Sequence, residues 1–216
     1  MAQVTSVNVV HELRPDEHNG VGRTAIDKRA VEGAAAVTAT GVAGDRQMDV
    51  AHHGGRDKAV YAFAAEDLAW WAAELGRDLA PGQFGENLTT SGLDVTGALV
   101  GERWRIGGQG GVVVEVTQPR IPCATFQAFL GERQWVRRFT EHGAPGAYLR
   151  VVQEGTVTAG DEIEVVHRPR HGVTIGACFV SLEPGVGHRL LAAAAAGEID
   201  LADSLRAYAE RAAARD

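Results

Sequence analysis

The chain has 216 residues, 45% hydrophobic and 23% charged, with 21 Lys plus Arg against 28 Asp plus Glu and a formal net charge of −7. This is a globular composition of one or two domains, which excludes a disordered or collagen-like chain. The acidic balance argues against nucleic acid as the main partner, and no apolar run approaches the ~18 residues of a membrane span.

Short β-branched stretches dominate the first 166 residues. Strands are predicted at 4–10, 26–31 and 37–42, then at 59–63 after the Gly54-Gly55 turn signal. A helix follows over 66–76, with Leu68, Trp71, Ala72 and Leu75 on one face and Gly76 as its stop. Strands at 103–106 and 112–117 flank a glycine cluster that reads as a hairpin loop. A second helix over 133–142 groups Trp135, Val136 and Phe139 and stops at Gly143. Strands at 147–152 and 162–166 complete the set. Many short strands with glycine-rich turns point to a mainly β fold, an antiparallel or mixed β-barrel with a few helices.

The character changes after His167. Arg168, Pro169 and Arg170 read as a linker, so the expected division is a β domain over 1–167 and a helical extension over 171–216. An apolar helical segment spans 175–180, and an alanine-rich helix 187–196. Asp200 is placed to cap a last helix from Leu201, with Leu201, Leu205, Tyr208 and Ala212 on one side. The extension is too small for a core of its own and is expected to dock on the β domain or on a partner. Adjacent Trp70 and Trp71 point differently on their helix, which leaves one for solvent or for a homodimer contact. Residues 1–10 lack a basic start, a long apolar stretch and a small-residue cleavage site, so no signal peptide is expected there. With only Cys123 and Cys178, neither a disulfide scaffold nor an iron–sulfur cluster is available, and a reducing cytoplasm is the expected setting.

Three loops carry candidate chemistry. Cys123 ends the stretch Thr117-Gln118-Pro119-Arg120-Ile121-Pro122-Cys123, where two prolines stiffen the backbone and Arg120 brings a cation that would favour a thiolate or hold an anion. The plain alternative for a lone cysteine is a small buried hydrophobe, and for Cys178, inside an apolar segment, that reading is preferred. His52 to Tyr61 contains His53-Gly54-Gly55 and the cations Arg56 and Lys58, a pattern that can cradle phosphate or form a turn with solvated charges. Asp45 and Asp49 upstream could orient a histidine or cap the loop. In 81–88, Gly85 frees the backbone, while Glu86 and Asn87 offer an acceptor and an amide able to read a heterocycle's edge. The glycine cluster at 107–111 fails the dinucleotide fingerprint, and no P-loop is present. Arg133, Arg137 and Arg138 read as a solvated helix face.

Together, residues 44–61 (GDRQMDVAHHGGRDKAVY), 82–93 (GQFGENLTTSGL) and 117–123 (TQPRIPC) resemble the MOSC family, named for the molybdenum cofactor sulfurase C-terminal domain. The order and spacing look like its stand-alone bacterial branch, that of hydroxylaminopurine detoxification, and cover about residues 4–166. The tail from His171 is similar to that branch's three-helix extension. The resemblance implies a β-barrel that binds a molybdenum-pterin cofactor, with Cys123 as the molybdenum ligand and catalytic residue. It carries His53, Gly54, Gly55, Lys58, Gly85, Glu86, Asn87 and Arg120 over as cofactor-binding positions. Lys58 and Arg120 would meet phosphate or ene-dithiolate charge, and the glycine N–H groups and Asn87 the pterin. Ala30 departs from an expected proline, and His52 adds an imidazole beside His53.

The leading expectation is a cytoplasmic molybdenum-dependent reductase of small N-hydroxylated compounds. The chain shows no flavin or nicotinamide fingerprint, so a separate flavin or iron–sulfur protein would donate electrons. A sulfur carrier or cofactor-handling module with a Cys123 persulfide is the alternative, and a non-enzymatic binding barrel the third reading.

Overall fold

The computed structural model describes residues 1–48, 54–179 and 182–215. Eight strands form one mixed sheet: β1 (Gln3–Pro15), β2 (Arg23–Ala30), β5 (Val60–Ala64), β6 (Leu88–Ser91), β7 (Arg103–Ile106), β8 (Val112–Pro119), β9 (Ala147–Gln153) and β11 (Ile163–His167). Their order is β11-β7-β8-β9-β5-β6-β1-β2, with β5 and β6 parallel and every other neighbouring pair antiparallel. A smaller sheet has the order β10-β3-β4, from β3 (Ala35–Thr38), β4 (Gly41–Val42) and β10 (Gly155–Val157).

The sheet is strongly curled rather than a closed barrel. Strand β1 changes partner along its length, pairing with β6 over its first residues and with β2 from Asn8, through bulges that bend it. Its start also meets the approach to β11: Gln3 and Glu162 form an isolated bridge, and Val4 N–H donates to the Asp161 carbonyl at 2.9 Å. That contact brings the edge strand β11 to the start of β1 without a continuous ladder.

Most predicted strands stand within a few residues of expectation, with informative exceptions. The stretch 37–42 is not one strand but the hairpin β3–β4, because the chain reverses at Ala39 and Thr40, where the Thr38 hydroxyl donates to the Gly41 carbonyl at 3.3 Å. Strands β6 and β10 and the helix α2 (Ala124–Leu130) are absent from the sequence reading. Helix α1 (Ala65–Leu75) ends at Gly76, whose left-handed φ of 63° lets its N–H return to the Ala72 and Ala73 carbonyls. Helix α3 (Trp135–His142) starts later than expected because Gln134 takes a left-handed φ of 55°.

The helices α4 (Ile175–Phe179), α5 (Pro184–Ala195) and α6 (Asp203–Ala213) follow. Asp200 does not cap the last of these; Ala202 occupies that position, and the Asp200 carboxylate is engaged by Arg56 and Arg150. The extension docks on the sheet, since Leu190, Ala193, Leu201, Leu205 and Ala209 join the core cluster of Val4, Val60, Trp104 and Leu149. A second, aromatic cluster holds Phe63, Trp71, Phe84, Phe126, Trp135 and Phe139, largely in edge-to-face and tilted contacts. Trp71 lies inside it and Trp70 is half exposed, stacked on His142. Among the described residues no helix is long and apolar enough to cross a membrane.

Close approach of α5 and α6 depends on Gly187, where a Cβ would lie 2.7 Å from the Ala209 carbonyl oxygen. Backbone cannot yield as a side chain can. Gly187→Leu is therefore expected to destabilise the chain by about 1–3 kcal/mol, read as a fall in Tm against Gly185→Leu, where a Cβ meets nothing within 4 Å.

Candidate functional site

Strand β8 ends at Pro119, and the chain turns through Arg120, Ile121 and Pro122 into Cys123, the residue before α2. A short 3₁₀ turn, Arg56–Lys58, leads into β5, and the loop 81–87 leads into β6. These connections and the face of β2 surround one cavity, lined by Lys28, Asp45, Lys58, Tyr61, Gly85, Asn87, Arg120, Cys123 and Tyr148 among others. Of the sequence-predicted residues, the structure thus brings Lys58, Gly85, Asn87, Arg120 and Cys123 together. Cys123 is partly exposed there, whereas Cys178 is buried and its thiol pKa is pushed up to about 12 by desolvation.

Charge is the cavity's main property. Its described lining has five cationic side chains, Arg23, Lys28, Arg46, Lys58 and Arg120, against one carboxylate, Asp45. In a chain of net charge −7 this is a local reversal of sign. Arg120 is 5% exposed, with its guanidinium carbon 3.7 Å from the Phe126 ring centroid and 5.6 Å from that of Tyr61. Its Nη1 is buried and has no hydrogen-bond partner among the described residues. Lys28 is also buried; burial pushes its pKa down, and the neighbouring Asp45 carboxylate, which accepts its hydrogen bond, pushes it back up. Lys58 Nζ lies 5.7 Å from the Tyr148 ring centroid. Burial raises the Tyr61 and Tyr148 phenol pKa values, and Tyr61 donates to the Pro145 carbonyl at 2.8 Å.

Several motif residues hold the backbone around the site in place. Glu86 does not line the cavity. Its Oε1 accepts from Gly82 N–H at 2.6 Å and the Thr89 hydroxyl at 2.9 Å, and its Oε2 from Phe84 N–H at 3.0 Å. The side chain folds its own loop, and burial raises its pKa against the pull of those donors. Asn87 lines the cavity with its amide already engaged. Nδ2 donates to the Asn8 carbonyl at 3.2 Å and Asp45 Oδ2 at 2.7 Å, and Oδ1 accepts from Tyr61 N–H at 3.1 Å. Gly85 N–H donates to the Gly82 carbonyl at 2.9 Å, and Gly55 N–H to Gln47 Oε1 at 3.0 Å. Both glycine amides are spent, and Gly55 faces a neighbouring cavity with Gly41, Gln47 and Arg56. Gly85 is needed for its φ of 78° and because a Cβ would sit 3.1 Å from Ile26. Gly54 borders the same turn, and His53, like His52 and Asp49, lies outside the described residues.

Lys28, Tyr61 and Tyr148 are site residues the sequence reading did not assign. The available signal for Lys28 was its period-2 register with Thr24 and Ile26, which places all three on one face of β2 and in the cavity wall. Asp45, named only as a possible cap, is a hub: Oδ1 accepts from Val10 N–H at 2.9 Å, while Oδ2 accepts from Lys28 and Asn87. Of the arginines read as a helix face, Arg137 pairs with Glu141 and Arg138 with Glu74 and Glu132, while Arg133 precedes the helix.

The MOSC domain profile matches residues 49–164, just over half of the chain and spanning most of the cavity-forming loops. The chain belongs to the MOSC domain family. It is 36% identical to YflK of Bacillus subtilis (strain 168) over 152 residues, 70% of this chain and 67% of that one. It is 30% identical to YiiM of Escherichia coli (strain K12) over 181 residues, covering 79% and 78% of the two. A Gibberella moniliformis (strain M3125 / FGSC 7600) protein named reductase is 30% identical over 149 residues, but the match spans only 26% of that longer chain. The crystal structure of YiiM from Geobacillus stearothermophilus superposes with a TM-score of 0.78 at 25% identity, over 98% of this chain and 99% of that one. This MOSC chain is thus similar along its whole length, extension included, to a solved relative.

The two cysteines differ enough to be separated chemically. At pH 8 iodoacetamide is expected to label Cys123 in the folded protein and to leave Cys178 unmodified, with both labelled in denaturant, as read by peptide mass spectrometry.

Proposed function

We propose that this MOSC protein is a molybdenum-dependent reductase of N-hydroxylated compounds. The observation that carries the reading is the buried Nη1 of Arg120, without a hydrogen-bond partner among the described residues, in a cavity of excess positive charge that also presents the Cys123 thiol. A buried donor without a partner is costly, and an anionic ligand would satisfy it. The residues suit a phosphate-bearing ene-dithiolate cofactor: soft sulfur for the metal, and Arg120, Lys28 and Lys58 for the anionic groups. Among the described residues no three His, Cys, Asp or Glu side chains are grouped to hold a metal ion, and Cys123 is the one cysteine in the described lining.

Cys123 would ligate molybdenum as its thiolate, after loss of the sulfur-bound proton. When bound, the cofactor supplies the two-electron redox chemistry at the N–O bond. Overall, the N–OH group takes two electrons and two protons and leaves as N–H and water. A separate flavin or iron–sulfur protein would supply the electrons. The chain's own residues hold the cofactor and set the field around it: the cations draw anionic groups inward, and the Phe126 and Tyr61 rings keep Arg120 directed to the cavity.

Expression in a host that makes the pterin cofactor, followed by elemental analysis, tests the reading. Wild type is expected to retain about one molybdenum per chain and Cys123→Ser none. Arg120→Met, which keeps the volume and removes the cation, is expected to fold and to lose metal by on the order of tenfold, the magnitude of one charge-assisted hydrogen bond. Metal absent from both wild type and Cys123→Ser would overturn the reductase, and a persulfide on Cys123 would then favour sulfur transfer.

A further inference from the structure

The described lining of the Cys123 cavity runs from Asn19 to Tyr148 and includes no residue of the helical extension. The extension nevertheless reaches the turn that carries Lys58. Asp200, in the connection between α5 and α6, places one carboxylate against two arginines: Arg56 of the 3₁₀ turn, and Arg150 on β9, whose Nη1 is 2.6 Å away. Arg150 Nη2 also donates to the Asp200 carbonyl at 2.7 Å. Arg150 is buried, whereas the Asp200 side chain is 63% exposed, so the arginine is the fixed part and Asp200 the clasp.

Other bonds hold the backbone of the turn. Gln47 accepts from Gly55 N–H at 3.0 Å and donates to the Lys58 carbonyl at 2.9 Å, and the Thr117 hydroxyl lies 2.6 Å from the Asp57 carbonyl. These bonds leave the Asp57 side chain to the arginines, Arg150 at 3.1 Å and Arg56 at 3.6 Å. With Asp200 in place, the two cations share its carboxylate with that of Asp57. Without it, among the described residues, Arg56 keeps Asp57 alone and Arg150 keeps Asp57 and the more distant Glu115. Both cations then converge on the residue directly before Lys58. A buried arginine short of a carboxylate is unfavourable enough to shift a partly exposed turn.

We propose that Asp200 is a positioning residue for Lys58. Through this clasp the extension sets the cationic field of the Cys123 cavity without lining it. By linkage, docking of the extension and binding of an anionic ligand that meets Lys58 favour each other. This coupling lies in the chain's own charges and does not depend on the reductase reading.

Alkylation of Cys123 in the full chain tests the coupling without a cofactor. Iodoacetate and iodoacetamide are attacked by the same thiolate, so the thiol pKa cancels in the ratio of their rates and the ratio reads the charge around the sulfur. Rates are measured on the Cys123 peptide by mass spectrometry. Lys58→Met is expected to lower the iodoacetate-to-iodoacetamide ratio about threefold, the scale of one solvated charge pair. Asp200→Ala is expected to lower it by a similar factor. The sign is decisive, because deleting a negative charge with Lys58 left in place would raise the ratio, and a general loosening would speed both reagents alike. Asp200→Glu should restore the wild-type ratio, and Lys58→Met combined with Asp200→Ala should fall no further than Lys58→Met alone. A ratio that either single variant leaves unchanged or raises overturns the assignment. So does a loss that Asp200→Glu does not recover, or a double variant in which the two losses add. If Asp200→Ala fails to fold, Asp200→Asn, which keeps the shape and removes the charge, is read the same way. Molybdenum retention with an unchanged ratio overturns this coupling alone. A lowered ratio in a chain that never retains molybdenum supports it and overturns the reductase instead.

Discussion

The site is built on buried positive charge that the described protein does not fully neutralise. A guanidinium taken from water loses several kcal/mol of solvation, about the scale of the whole stability margin of a domain, unless other groups replace the water. Arg120 receives that replacement partly from π-faces, with Phe126 at 3.7 Å and Tyr61 farther off, and Nη1 is left over. Lys28 is treated differently, with Asp45 at its ammonium. One cation is satisfied and one is held open, so the cavity keeps a directed demand for an anion.

That arrangement explains why so much of the surrounding sequence is devoted to fixing loops. Asp45 cannot serve Lys28 unless the loop following β4 is held against β1, and its Oδ1 on Val10 N–H does this. The same carboxylate takes an Asn87 hydrogen, which ties the loop before β6 to the cation pair. Glu86 then closes that loop on itself through three donors. Within the Gly-Glu-Asn run, Glu86 fixes the loop backbone while Gly85 and Asn87 line the cavity.

What could be read in advance follows the same division. Strands with clear apolar periodicity, such as β7 and β8, and helices stopped by glycine, such as α1, were legible because local chemistry decides them. Strand β6 was not, since Leu88-Thr89-Thr90-Ser91 has little apolar contrast and becomes a strand by pairing between β5 and β1. Helix α2 was hidden behind the Pro-Arg-Ile-Pro-Cys loop, although Phe126 and Leu130 recur at i and i+4. Cys123, Arg120 and Lys58 stood out by residue type and spacing. Lys28 and Tyr148 did not, because their positions in the site arise from strands far apart in sequence meeting across one sheet.

The extension is joined to the site by charge as well as by packing. Arg150 on β9 is buried, and its guanidinium lies 3.1 Å from Asp57 and 2.6 Å from Asp200, with Glu115 at 3.6 Å. Arg56 pairs with the same Asp200, and Asp57 lies between Arg56 and Lys58 in the 3₁₀ turn. Thr117 reinforces the turn, its hydroxyl lying 2.6 Å from the Asp57 carbonyl and 2.9 Å from that of Tyr148. The residue once expected to cap a helix therefore couples the α5–α6 connection to the turn that carries Lys58. Surface ion pairs alone are weak, but here the central arginine is buried and cannot lose one carboxylate without leaving its charge exposed to a low-dielectric interior. Displacing the extension would disturb the turn, so helical tail and sheet are packed and ion-paired as one structural unit.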